Sequence, residues 1–173
     1  MNLPLLDLQI SLESGSWKDS LGENVDLRVL CTGALSEAVF FLVDQKERYF
    51  VDAIEISLVF TDSRRIKTLN SEYRGIDKPT NVLSFPSYFT LSNKYLGPML
   101  GDIVLAYEVI EKEANISGKK MADHLVHLIM HGFLHLLGYD HVDDERAYVM
   151  ESLERSILAN LGISDPYAGW IES

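Results

Sequence analysis

Residues 131–141 read HGFLHLLGYDH and carry His131, His135 and His141. All five histidines of the chain lie between residues 124 and 141. On a helix, His131 and His135 stand one turn apart and project from the same face. Two imidazoles at that spacing can reach one metal ion, with metal–nitrogen bonds of about 2.0–2.1 Å for zinc. Gly138 is expected to end the helix, since glycine accepts the left-handed conformation of a sharp turn. The returning residues then bring His141 back as a third ligand. Three neutral imidazoles leave the ion its full charge and an open coordination position, which suits a catalytic site better than a closed structural one. Ordinary packing explains a lone histidine well, but not three at this spacing with a glycine between the last two.

The zinc-protease pattern HExxHxxGxxH has the same ligand spacing, with a glutamate general base at its second position. Here that position is Gly132, so a protease would need a carboxylate from elsewhere. A phosphodiester makes a different demand. Its transition state places extra negative charge on oxygens, which a cation and a positioned arginine stabilise directly. Arg74, closing the basic stretch Arg64, Arg65, Lys67, is the candidate arginine; a structural salt bridge to Asp77 or Asp102 is the plainer role for it. His127 and His124 share the stripe of His131. His124 reads as packing, while His127 and Asp102 are candidates for moving a proton. The residues alone therefore define a metal-dependent hydrolase acting on a phosphoester rather than a peptide.

The elements that must position these groups alternate along the chain. Leu3 to Leu12 alternate like a strand and Ser14–Asn24 reads as a polar loop; apolar residues then return at helical spacing from Leu27 to about Arg48. Residues 51–62 read as a strand, with Asp62 as N-cap of a helix that Gly75 closes. A short strand Asn81–Phe85, a hairpin-like excursion over 87–100 and the strand GDIVLA follow. Three helices are expected: 107–117 before Gly118, 119–137 before Gly138, and about 143–160. Strands and helices are interspersed with few obvious βαβ crossovers, so the class is α+β or mixed α/β. At 173 residues the chain is expected to form one domain, 1–173.

Composition narrows the setting. No run of apolar residues is long enough to cross a bilayer, the N-terminal stretch is acidic rather than basic, and Cys31 is the one cysteine, so a cytoplasmic protein without disulfides or Cys–metal sites is expected. The formal charge of −11 argues against sequence-blind binding to nucleic acid, yet Arg64, Arg65, Lys67, Arg74 and Lys78 cluster and predict one basic face.

Three blocks carry a resemblance: HGFLHLLGYDH, LNSEYRGIDKPTNVLSFP (Leu69–Pro86) and LGDIVLA (Leu100–Ala106). In this order and spacing, over roughly residues 50–160, they resemble the YbeY family of rRNA-maturation endoribonucleases. The resemblance implies an α+β fold, a small mixed sheet flanked by helices, with the HxxxH helix holding a metal. It implies one zinc-type ion per chain, another divalent metal being possible, on His131, His135 and His141, and a functional arginine matching Arg74. It implies a single-strand-specific metalloendoribonuclease that matures rRNA precursors, notably at the small-subunit 3′ end, and serves ribosome quality control. The expected partners are single-stranded rRNA and the ribosomal small subunit or its proteins, with neither membrane nor DNA. The alternatives are a ribosome assembly factor with a structural metal, and a metalloprotease.

Overall fold

The computed structural model describes residues 2–88 and 94–168. Its centre is a four-stranded mixed sheet in the order β1-β3-β6-β4, built from β1 (Leu5–Leu12), β3 (Ala53–Thr61), β6 (Met99–Ala106) and β4 (Val82–Pro86). The first three strands run parallel and β4 pairs antiparallel with β6 at one edge. The parallel pairs require crossovers, so the βαβ connections that the sequence did not advertise are present. Between β1 and β3 the chain passes through α1 (Trp17–Leu21), α2 (Leu27–Asp44) and β2 (Tyr49–Phe50).

The sheet is covered on both faces. In β3, Ile56, Leu58 and Phe60 point into the main core, where Ile103 and Leu105 of β6 join them. The alternate residues Val59, Val104 and Ala106 meet Ile66 and Leu69 of α3 (Ser63–Arg74) on the other face. Period-two alternation assigns the two sets to opposite sides, and burial on both faces explains why Ile103 to Ala106 are apolar without a break.

The helices after β6 are α4 (Tyr107–Ser117), α5 (Met121–Leu136) and α6 (Asp144–Asn160). Asp62 and Asp143 cap α3 and α6 by accepting from the backbone N–H groups of Arg65 and Arg146, each at 2.8 Å. α5 buries Leu125, Leu128, Ile129, Met130, Phe133, Leu134 and Leu136 in the main core. Among the described residues no helix is long and apolar enough to cross a membrane.

Two expectations are corrected. The segment 14–24 is not simply a polar loop: α1 lies inside it, and Trp17 is buried edge-on between Phe60 and Tyr107, with its indole N–H donating to the Ser14 carbonyl at 2.8 Å. The excursion over 87–100 is not a local hairpin, because β5 (Tyr95–Leu96) pairs in parallel with the distant β2; its residues 89–93 lie outside the described residues.

Candidate metal centre

α5 presents His131 and His135 one turn apart, as their spacing predicts. The helix ends at Leu136, and Gly138 adopts φ +95° while the N–H of Tyr139 reaches back to the Leu134 carbonyl at 3.1 Å. That turn swings His141 towards the other two rings. One imidazole nitrogen of each residue lies within 4.8 Å of the others, and ring centroids are 4.6–5.5 Å apart. The returning loop is clamped from the end of α2. Arg48 stacks 4.0 Å over the Tyr139 ring and donates to the Leu137 carbonyl at 3.2 Å, and Tyr139 donates its hydroxyl to Glu47 at 3.0 Å.

Hydrogen bonds fix which nitrogen of each helical ring is free. His131 Nδ1 lies 2.5 Å from Glu154 Oε1, and His135 Nδ1 lies 2.9 Å from the Tyr139 carbonyl oxygen. A carboxylate and a carbonyl only accept, so Nδ1 carries the proton in both rings. Both Nε2 atoms then present lone pairs, and they face one another at 3.0 Å. Two lone pairs so placed repel one another unless a proton or a metal ion lies between them. A tetrahedral ion with bonds of about 2.0–2.1 Å holds its ligands about 3.3 Å apart, so the donor set fits zinc or a similar divalent metal.

Electrostatics favours a neutral, ligand-ready His135. Burial, then the neighbouring His131 and His141, lowers His135 to about 4, and the Arg74 charge adds to the effect. Glu154 on α6 has no exposed surface. Burial pushes its carboxyl up, but the facing His127 and His131 rings and the Tyr167 hydroxyl outweigh this and hold it at about 2. Tyr167 donates to Glu154 Oε2, and Arg155 lies 5.2 Å over the Tyr167 ring while pairing with Asp165 at 3.2 Å. A charged carboxylate behind a ligating imidazole orients the ring and raises its basicity.

Glu154 and Tyr167 are site residues that the sequence reading missed. One signal was available: Glu154 interrupts the buried stripe Met150, Leu153, Ile157, Leu158 of α6, and a carboxylate at a core position requires a partner. His127 stands 3.8 Å from Glu154 Oε2, beyond hydrogen-bonding distance, and packs edge-on against Tyr167. His124 is buried and bonds Glu113 at 3.0 Å, in keeping with a packing role. Asp102 lies beside Val104 in a groove on the α3 face of the sheet, away from α5. Arg74 ends α3, exposed and without an ion-pair partner among the described residues; Asp77 pairs instead with Lys67 at 3.9 Å.

Gly132 has a structural reason of its own. A Cβ there would come within 2.9 Å of Ile103 Cγ2 and 3.0 Å of Ser84 Oγ, so this position faces the sheet and not the histidines. A glutamate at 132 has no room.

A mixed sheet layered between helices, with a histidine trio of metal-ligand geometry at the end of a buried helix, defines the class. A sequence model described as Endoribonuclease YbeY matches residues 28–162, further towards the N-terminus than the three blocks reach. The chain is 52% identical over 165 residues to a protein named Endoribonuclease YbeY from Agrobacterium fabrum, covering 95% of this chain and 96% of that one. Its counterpart in Sinorhizobium fredii is 50% identical over 163 residues, covering 94% and 92%. The solution structure of TM1509 from Thermotoga maritima shares the fold at 22% identity, with a TM-score of 0.50 over 95% of this chain and 99% of that chain. The chain belongs to the endoribonuclease YbeY family.

Proposed function

We propose that this protein is a metal-dependent, single-strand-specific endoribonuclease that processes rRNA precursors, including the small-subunit 3′ end, and takes part in ribosome quality control in the cytoplasm. The observation that carries the reading is the pair of converging Nε2 lone pairs, in a chain whose relatives are named endoribonucleases. His131, His135 and His141 would hold one zinc-type ion. Bound there, a divalent ion supplies positive charge that acidifies water and polarises a phosphoryl oxygen. Glu154 keeps the proton of His131 on Nδ1, and the Tyr139 carbonyl does the same for His135, so both rings are fixed with Nε2 turned towards the trio. His141 is exposed, which leaves the trio open to a long substrate on that side. Arg74 would hold a phosphate against the site, a role supported by the reach of its charge to His135. Substrate and partner follow from this: a single-stranded rRNA segment, presented by the small subunit or its proteins, on an otherwise acidic molecule. The whole chain acts as one catalytic unit.

Cleavage of a single-stranded RNA spanning the 3′ end of small-subunit rRNA tests it, with wild type and His135→Ala purified in parallel. Wild type is expected to cut and to stop on chelation, and a folded His135→Ala to leave the RNA intact. Equal cutting by both would point to a contaminating ribonuclease and sink the reading. An unfolded His135→Ala would instead make the metal structural.

A further inference from the structure

A second site lies across the edge of the sheet from the histidines. Strand β4 is an edge strand, paired on one side only, and its successive side chains point to opposite faces of the sheet. Ser84 faces α5 and donates to the Gly132 carbonyl at 2.9 Å. Its neighbour Phe85 therefore faces the other way, where it stands in register with Asp102 of β6 and is met edge-on by Tyr73 at 5.2 Å. Together with Glu13, Val59, Arg65, Leu69 and Val104 these residues line a groove of about 410 Å³, in which Glu13 adds a second carboxylate beside Asp102. That is within the roughly 300–1,000 Å³ of small-molecule sites.

The chemistry of the groove is specific. Its floor is apolar and aromatic, and Tyr73 is 67% exposed, so one ring face is left uncovered. The Arg65 guanidinium and the Asp102 carboxylate both line it, and neither has a hydrogen-bond or ion-pair partner among the described residues. A flat aromatic surface flanked by an unpaired donor and an unpaired acceptor fits a ligand that is planar, stackable and bears both N–H and acceptor groups at its edge. Unpaired nucleobases have that character, and single-stranded RNA is read by splaying them onto aromatic rings. The surroundings select a polyanion: α3 and the turn after it expose Arg64, Arg65, Lys67, Arg74 and Lys78 on a chain of net charge −11.

The geometry points to this groove as a base-binding subsite for the RNA strand. Tyr73 stacks one unpaired base, and Asp102 and Arg65 bond its edge. The next residue, Arg74, takes a backbone phosphate where the strand turns over the β4 edge towards the histidines. The inference rests on the endoribonuclease reading for its substrate, but its test reads binding rather than cutting.

Metal-loaded wild type and Tyr73→Ala are titrated by fluorescence anisotropy with a short single-stranded RNA, its integrity checked on a denaturing gel. The titration is repeated with RNAs in which each nucleotide in turn is an abasic ribose. Wild type is expected to lose about 10-fold in affinity when one particular base is removed. Tyr73→Ala is expected to bind intact RNA about 10-fold more weakly and to be indifferent to that base, while Tyr73→Phe, which keeps the ring, restores the discrimination. Identical abasic penalties in wild type and Tyr73→Ala, or no RNA binding by wild type, would overturn the subsite. So would a wild type that sediments as a dimer and a Tyr73→Ala that is monomeric with unchanged RNA affinity, since the groove would then be a contact between copies. Tyr73-dependent binding without any cleavage would defeat the nuclease reading and leave the subsite standing.

Discussion

Glu154 is the residue on which the orientation of the candidate metal ligands turns, because among the described residues it is the one fully buried carboxylate and it bonds His131 from behind. Its substitution by glutamine keeps the shape and removes the charge, so metal affinity is expected to fall about 10- to 100-fold with little change in fold. Competition against a chromophoric chelator measures this, and an unchanged affinity would show that the carboxylate only fills space. The same residues set the acid limit of the metal-free protein. His135 protonates near 6.5 when unfolded but only at about 4 when folded, so its contribution to stability is present above pH 6.5 and lost as pH falls to about 4. Glu154 is ionised down to about 2 against an ordinary 4.5, so a second loss follows between pH 4.5 and about 2. Denaturant titrations of metal-free protein should show both windows, and His135→Ala should flatten only the upper one. The histidine trio was legible from spacing because its ligands lie within one helix and one turn. Glu154 showed only as a carboxylate interrupting an apolar stripe and Tyr167 not at all, because tertiary packing alone brings them to His131.

At the scale of elements, α5 must lie close to the sheet to present its histidines, and Gly132 is a point of tight approach. Alanine would normally favour a helix over glycine by about 1 kcal/mol. Here the added methyl would meet Ile103 and Ser84, and such overpacking costs about 1–3 kcal/mol. Gly132→Ala is therefore expected to destabilise the fold by about 1 kcal/mol, against the helix preference; urea denaturation showing a stabilised variant would contradict this packing. Helix boundaries were readable from single residues, since Asp62, Asp143, Gly75 and Gly118 act through local backbone bonding. Strand direction was not. Alternation marks a strand and its faces but says nothing about whether its neighbour runs parallel, so the crossovers joining β1, β3 and β6 escaped the reading. α1 escaped because five residues give too few turns for a helical period, and its anchor Trp17 is buried by partners from β3 and α4.

For the whole molecule, the charges that matter to RNA are few and local. Of the basic residues on and after α3, Arg64, Arg65, Arg74 and Lys78 have no ion-pair partner among the described residues, whereas Lys67 is tied to Asp77. Releasing counterions from that many phosphates predicts a plot of log affinity against log salt no steeper than about −3 for single-stranded RNA. A markedly steeper slope would show that cations elsewhere join the interface. The basic face was visible in the sequence as a cluster, but its alignment with an aromatic groove depends on which side of the sheet α3 covers. The reach of Tyr167 to Glu154 also has a consequence in time. The ligand histidines leave the ribosome well before the residues that hold them, and α6 and then Tyr167 must follow before His131 is braced. A nascent chain thus carries its histidines unbraced until Glu154 and then Tyr167 have been made, so the order of the centre arrives later in synthesis than the rings it holds.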